Sequence, residues 1–502
     1  MTGTLNRTLG IVAIIAFGLT NEIASGLFFV STQIQKTAPG VGTLVPLLMI
    51  VGGLITFLTV VAYRYFFASG LVGAGGEYVI ISRSVSPSVG FVATFLAWFG
   101  LTGSLGSLAY TAPTFLATAA ASIGLTSTSK FLSSSIGILI VGLIIIWGIW
   151  LIHVRGIRLA GVLAVISMCV VLFVSALLII TGFATSQSAL ANAVAAHLHL
   201  SVSSILAAAP VHEVSLSAAF GTALPVLFFG YLGLSTATQT GGEAVDAKRS
   251  LPKAVLITVS VVTVVYTLFA FAVYHAVPWQ LIAGLSELGF NQYTTSSGVL
   301  QFVMPHWLSA LVNLLVAFIV IKTLLPIFLA QSRWIFAWSQ DGILPPAFRK
   351  THQKYQTPVL GLTISSIFGT ISLVESLKLG YVFGVNLRVL SVMIVFLAMG
   401  IGLLYFPKRV PHLYEQNQSL LGRNRGLQIC LGTVLIVISV WFIISIAYSS
   451  RSDAFILQPF VQAVIVAIVA LLVYGVYRRR LAKVSADERD LIAKRFSEAP
   501  PQ

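Results

Sequence analysis

The segment Gly18-Leu-Thr-Asn-Glu-Ile-Ala-Ser-Gly-Leu-Phe28 lies inside an apolar stretch running from about Ile11 to Val30. About 20 apolar residues suffice to cross a bilayer, so the stretch is long enough to span one. Near its mid-depth it nevertheless carries two glycines, an asparagine and the carboxylate of Glu22. A plain membrane anchor has no use for that set. Irregular backbone is tolerated at such depth only where it is buried in protein or lines a cavity. An ionisable residue there is by default a functional candidate. The chain is expected to open this helix inside the membrane to hold something polar.

Composition agrees with a membrane setting. Of 502 residues, 57% are hydrophobic and 9% are charged, against about 25% charged in an average soluble protein. The chain therefore reads as an all-α polytopic membrane protein. No cleavable signal peptide is expected, because the first apolar run after Arg7 is too long and lacks a cleavage site. Cys169 and Cys430 lie in apolar segments and read as small packing residues rather than a disulfide or a metal site.

Twelve apolar segments are expected, at about 10–32, 43–66, 88–120, 134–153, 159–182, 216–239, 251–274, 307–335, 358–374, 381–406, 427–448 and 455–478. With the N-terminus cytoplasmic, Arg64, Arg83, Arg155, Arg158, Lys248, Arg249, Lys253, Arg333, Arg349, Lys350, Lys354, Lys408, Arg409, Arg423 and Arg425 all fall on cytoplasmic loops. The tail from Arg478 to Arg495 joins them, whereas the outer loops keep only Lys36, Lys130, Lys378 and Arg451. This is a positive-inside pattern. It places the chain in the cell membrane with both termini cytoplasmic, and it accounts for the net charge of +15 without a nucleic-acid partner. Arg478-Arg-Arg480 and Lys483 are placed to meet anionic lipid headgroups.

The longest outer connection, Ala184 to Ser215, has no lysine or arginine. Its amphipathic stretch from Ser188 to Leu200 is suited to lie flat on the membrane surface. His197, His199 and His212 are nearby. His197 and His199 are two apart and do not share a helix face, so a solvated loop is expected rather than a metal site.

The sixth segment is also interrupted, reading Gly221-Thr-Ala-Leu-Pro-Val-Leu-Phe-Phe-Gly-Tyr-Leu-Gly-Leu-Ser235. Pro225 cannot donate to the Gly221 carbonyl, and Gly230 and Gly233 weaken the helix further. Glycines alone would suit close helix packing. Paired broken segments at matching positions of two five-segment sets instead point to a midplane binding site, and Asn21, Glu22 and the aromatic run Phe228-Phe-Gly-Tyr231 favour that reading.

These residues resemble the amino acid–polyamine–organocation (APC) transporter superfamily, over roughly residues 8–410. Ala24-Ser-Gly-Leu-Phe28 is similar to the signature of its first helix. Gly75-Gly-Glu-Tyr78 followed by Arg83 resembles the stretch before the third helix. Phe229-Gly-Tyr-Leu-Gly233, then Glu243 and Pro252, resembles the sixth helix and its exit. Arg333 with Asp341-Gly-Ile-Leu-Pro345 and Thr357-Pro358 resembles the loop after the eighth helix. The usual Asn-Pro after the sixth-helix glutamate is missing; the stretch reads Asp246-Ala-Lys248.

The resemblance implies a five-plus-five inverted repeat, at about 10–182 and 216–406, within a transporter core of residues 1–406. Two additional helices at 427–478 and a cytoplasmic basic tail at 479–502 follow. It implies that backbone amides of Ala24, Ser25, Gly26 and Leu27 cradle a substrate carboxylate, for which helix N-terminal amides are suited. Freed carbonyls at Phe228 to Gly230 take the ammonium, Gly233 belongs to the same break, and Phe229 and Tyr231 line or close the pocket.

Three charges lie inside segments: Glu22, Lys322 and Arg388. Glu22 stands where the family pattern is apolar. It is either a brace paired with a basic residue, a contact for a cationic substrate, or a proton site. Counting back eleven residues from Arg333 reaches Lys322, then Thr323, where sodium-coupled relatives place a hydroxyl for a structural sodium. Lys322 is therefore expected to supply a positive charge in that pocket. Pro326 frees its carbonyl, and a depth of about 16 Å from Arg333 argues against snorkelling. Arg388 lies near the outer end of the tenth segment, where snorkelling or an outer-gate contact is expected.

Secondary active transport of amino acids or related amines is the expected function, by alternating access, sodium-independent and either proton-coupled or by exchange. A non-transporting amine sensor and a carrier of polyamines or other organic cations are the alternatives. No enzyme, cofactor or metal is expected: the segments hold no HExxH zinc motif, no catalytic carboxylate pair and no GxSxG-type nucleophile.

Overall fold

The computed structural model describes residues 5–499 except Ser25, Pro39, Val211, His212, residues 380–382, Gln418 and Val484. Among the described residues, twelve helical spans are long and apolar enough to cross a membrane. They are Ile11–Thr37, Gly42–Ala68, Pro87–Ser122, Ser135–Val154, Ile157–Ala184, Leu216–Gly242, Ala247–Ala276, His306–Gln340, Val359–Lys378, Val385–Arg409, Arg425–Ser449 and Pro459–Leu481. Hydropathy sets these limits, because a bilayer leaves intrahelical bonding as the simplest way to satisfy the backbone.

Burial divides the spans. The most apolar stretch of the third, eighth and tenth spans is 72% buried, that of the twelfth only 22%. The first, third, eighth and tenth spans are thus the most buried, the second and sixth follow at 56% each, and the last two pack around them. The eleventh packs along the tenth and the twelfth along the third. Cys169 and Cys430 are free and exposed on outward faces. This differs from the expected packing role: the helices that carry them turn those faces to lipid.

Three inner spans are broken. In the first, the helix Ile11–Glu22 ends at Ile23, whose backbone turns to ψ 85°, and a π-helical turn at Gly26–Val30 leads into Ser31–Thr37. In the sixth, a π-helical turn at Ala219–Ala223 precedes Pro225, whose missing N–H removes one rung of the ladder. A tight 3-10 stretch, Phe228–Gly233, follows. The eighth is interrupted at Thr323, between His306–Lys322 and Leu324–Gln340, next to the Lys322 carbonyl that Pro326, four residues on, leaves without a donor.

Alternation of the spans puts the basic loops at one end, and contacts there agree with it. The N-terminal residues Thr8 and Leu9 donate backbone N–H groups to the Glu243 carbonyl. The connection after the fifth span holds two helices, Gln187–Leu198 and Val202–Ala208, bent by 96°. The second packs on the helix Trp279–Glu287. His197 lies against the Phe302 ring, 5.0 Å between centroids, and His199 takes the left-handed position that ends its helix. His212 lies outside the described residues.

Candidate functional site

The breaks of the first and sixth spans face each other. A Cβ placed on Gly26 would come within 2.5 Å of the Gly230 Cα, so only glycine allows this approach. A Cβ on Gly233 would lie 2.5 Å from Glu22 Cγ and from Glu22 N. Tyr266 of the seventh span holds the two breaks together: its hydroxyl donates to the Glu22 carbonyl and lies 3.1 Å from that of Gly230. Asn21 adds a side-chain bond from Nδ2 to the Gly233 carbonyl at 3.2 Å and to Thr236 at 3.3 Å.

A cavity of about 30 Å³ opens where the breaks meet. Of the residues singled out from sequence, Glu22, Ala24, Gly26, Phe229, Gly230, Gly233 and Thr323 line it. Asn21, Ser104 and Arg388 are the further polar residues in its wall. The volume holds one or two waters, so a larger ligand requires the wall to open.

Glu22 is fully buried, and neither carboxylate oxygen has a hydrogen-bond partner. Among the described residues it forms no ion pair, so the brace with a basic residue is not formed here. Arg388 is buried as well. Its guanidinium donates to the Ala97 carbonyl at 3.3 Å, the Leu232 carbonyl at 3.4 Å and the Ser235 hydroxyl at 3.4 Å. It therefore does not snorkel. Carbonyls of the third and sixth spans satisfy it inside the protein, where its position along the tenth span alone suggested an outer role.

Lys322 is buried at the break of the first span. Its ammonium donates to the Thr20 carbonyl and, at 3.1 Å, to that of Ile23. Thr323 Oγ1 donates to Ile319 O at 2.8 Å and lies 3.5 Å from Thr20 O. These are carbonyls that the end of the helix Ile11–Glu22 leaves without intrahelical donors.

Leu27, Phe228 and Tyr231 do not line the cavity. Leu27 is buried in the π-helical turn, and its carbonyl accepts from Ser31. Phe228 packs edge-to-face toward the eleventh span against Phe442, 5.0 Å between centroids. The Tyr231 hydroxyl donates to the Met49 carbonyl at 2.6 Å, turning its ring onto the second span. A buried hydroxyl follows its acceptor, and that acceptor is not in the cavity. Ser25 lies outside the described residues.

Residues 9–476 match the family model described as amino acid permease. The chain belongs to the amino acid permease family. It is 24% identical over 197 residues to the branched-chain amino acid permease BcaP of Bacillus subtilis, which is 38% of this chain and 39% of that relative. It is 30% identical over 161 residues to the aspartate-proton symporter of the same bacterium, 29% of each chain. It is 23% identical over 150 residues to cationic amino acid transporter 3 of Arabidopsis thaliana, 30% of this chain and 23% of that relative. These matches span well under half the length of the relatives.

At the basic end, the fold brings the scattered motifs together. Arg83 grips Asp341 through two bonds of 2.6 and 3.0 Å, and the Tyr78 hydroxyl donates to the same carboxylate at 2.7 Å. Arg333 holds Glu243 through bonds of 3.1 and 2.5 Å, with both side chains almost wholly buried. Both pairs are bidentate, the strong geometry for a guanidinium and a carboxylate.

Glu77 forms a third polar cluster, on the helix Glu77–Ser84 between the second and third spans. Tyr63 donates to its Oε1 at 2.7 Å and Thr238 at 3.2 Å, while Gln239 donates to its Oε2 at 2.5 Å. The approach needs Gly76, at φ +42°, where a Cβ would fall 2.5 Å from Thr238 Oγ1. Burial pushes the Glu77 carboxyl up to about 7, although its hydrogen bonds and the Arg388 charge favour the ionised form. Sequence reading took Glu77 as part of a motif and missed it as a titratable group.

Proposed function

We propose that the permease is a secondary transporter of zwitterionic amino acids or closely related amines, working across the cell membrane by alternating access. One observation carries the reading. The broken first and sixth spans meet at Gly26 and Gly230 beside a midplane cavity that presents one carboxylate, Glu22, and one guanidinium, Arg388. A ligand with both charges matches such a wall, and membership of the amino acid permease family supports the same class. The amides of Ala24, Ser25 and Gly26 receive the carboxylate, and carbonyls near Phe229 and Gly230 receive the ammonium, while Leu27 and Phe228 fall away from the cavity. A helix bundle rocks against a scaffold around this site.

Transport is sodium-independent in this reading. Lys322 supplies the cation at the first-span carbonyls, and a second unit charge about 4 Å away would be repelled by roughly 4 kcal/mol even at an effective dielectric of 20. Thr323 completes that position. Both termini are cytoplasmic. A sensor lacks support here, because the bidentate pairs at the basic end tie together the segments that a gate has to separate.

The test is counterflow in proteoliposomes with each of the twenty proteinogenic L-amino acids, and with putrescine and spermidine. Exchange of at least one amino acid by the wild-type protein is expected. Binding without exchange indicates a sensor, and exchange of polyamines alone indicates the cationic class.

A further inference from the structure

Glu77 lies outside the cavity wall but is joined to it through one turn of the sixth span. Arg388 reaches from the cavity to the Ser235 hydroxyl at 3.4 Å. The Ser235 carbonyl accepts from Thr238 Oγ1 at 2.7 Å, and the same hydroxyl lies 3.2 Å from Glu77. Arg388 forms no ion pair among the described residues. Glu77 is the buried carboxylate to which this chain of contacts leads from the guanidinium facing the cavity.

We propose that Glu77 is a proton-binding site of this permease, and that its protonation is linked through Arg388 to the binding of a carboxylate in the cavity. The proposal rests on the amino acid reading above and extends it to the coupling ion. With Glu77 ionised, part of the Arg388 field is spent on Glu77. A proton from solvent adds to a Glu77 carboxylate oxygen, with no other bond made or broken covalently. The guanidinium then stands uncompensated, and a carboxylate entering the cavity is bound more tightly. By reciprocity, a bound carboxylate takes up the Arg388 field and makes Glu77 easier to protonate. Proton and substrate bind together, which is the requirement for symport.

The cluster is built for both protonation states. The ionised carboxylate accepts from Tyr63 and Gln239, with the Thr238 hydroxyl 3.2 Å away. Gln239 Oε1 is buried without a partner. A half-turn of that amide exchanges its nitrogen and oxygen, and the protonated Oε2 then donates to Oε1. The position of Glu77 near neutrality fits a group that changes state in use. Tyr63 from the second span and Arg388 from the tenth are the ionisable groups that bear on it. Tyr78 and Arg83 of its own helix are engaged by Asp341, and Arg333 of the eighth span by Glu243. Glu22 faces the same cavity as Arg388, and Lys322 is held by Thr20 and Ile23.

Infrared difference titration of the full-length protein in nanodiscs reads the site without a substrate. A protonated-carboxyl band with a midpoint near neutral pH is expected in the wild type and should be absent in Glu77→Gln. Tyr63→Phe removes the hydrogen bond that most favours ionisation and should raise the midpoint. Arg388→Gln removes a charge that also favours ionisation and should raise it by less. A band that persists in Glu77→Gln, or a midpoint indifferent to both other substitutions, overturns the proposal. The second reading uses the twenty L-amino acids as probes. Any that binds should raise the wild-type midpoint and bind about tenfold more tightly per unit of that rise, with no such rise in Arg388→Gln. A ligand that binds with no shift of the wild-type midpoint overturns the linkage. If none of the twenty binds, the amino acid reading falls while the substrate-free titration still decides whether Glu77 takes the proton.

Discussion

Gly26 and Gly230 touch backbone to backbone: a Cβ on the first would lie 2.5 Å from the Cα of the second. This contact is where two broken spans become one site. Larger side chains at either glycine must push the breaks apart, and the atoms they meet are backbone or a buried ring rather than a flexible side-chain end. Gly26→Val is expected to cost about 1–3 kcal/mol of stability through overpacking and to abolish ligand-induced stabilisation. Gly230→Ala, whose Cβ would fall 2.7 Å from the Tyr266 ring, should weaken binding less. Thermal unfolding in detergent with and without ligand separates the two effects.

Tyr266→Phe keeps the ring and removes the hydroxyl that ties Glu22 to Gly230. The buried Glu22 carbonyl then loses its donor, at about 1–3 kcal/mol. The expected result is weaker ligand affinity with the substrate order unchanged. An altered order of substrates in uptake competition would place Tyr266 in direct contact with the ligand instead.

Glu22→Gln keeps the shape of the cavity and removes its carboxylate. Because no protein group bonds either oxygen of Glu22, the change should leave stability nearly unaltered or raise it. It should lower the preference for ligands carrying an ammonium group. Lost expression with unchanged selectivity would show a structural carboxylate.

The broken first and sixth spans were legible in sequence because glycine, proline and polar residues interrupt long apolar runs there. The position of Lys322 was legible because the interruption at Thr323 leaves the count back from Arg333 nearly that of a continuous helix. Arg388 was not: its distance from the end of its own segment said nothing of the third- and sixth-span carbonyls that receive it. The direction of Tyr231 was equally hidden, because the acceptor that turns it, the Met49 carbonyl, belongs to another span. Residues set by their own helix can be read from sequence, whereas those set by a neighbour's backbone cannot.

The buried pair of Arg333 and Glu243 contrasts with the exposed pair of Arg249 and Asp246, 3.7 Å apart. Arg333→Met leaves a carboxylate uncompensated in the interior and should destabilise by about 3–5 kcal/mol. Arg249→Met should change stability by less than about 1 kcal/mol. Chemical unfolding of both variants in detergent measures the difference.

Glu77 also sets a sign for stability against pH. Its folded-state carboxyl is raised from about 4.5 to about 7, so the stability it contributes is present below the unfolded value and is lost as pH rises through 7. The apparent Tm should fall more steeply between pH 5 and pH 8 in the wild type than in Glu77→Gln. Parallel profiles would remove Glu77 from the account.

Initial uptake of a transported amino acid into wild-type proteoliposomes, at equal pH in sodium buffer and in sodium-free choline buffer, tests the central claim most directly. Lys322 is bonded to the carbonyls of Thr20 and Ile23, and in the proposed reading it supplies the cation at that break. The account predicts equal rates in the two buffers. Uptake that is lost without sodium would contradict it.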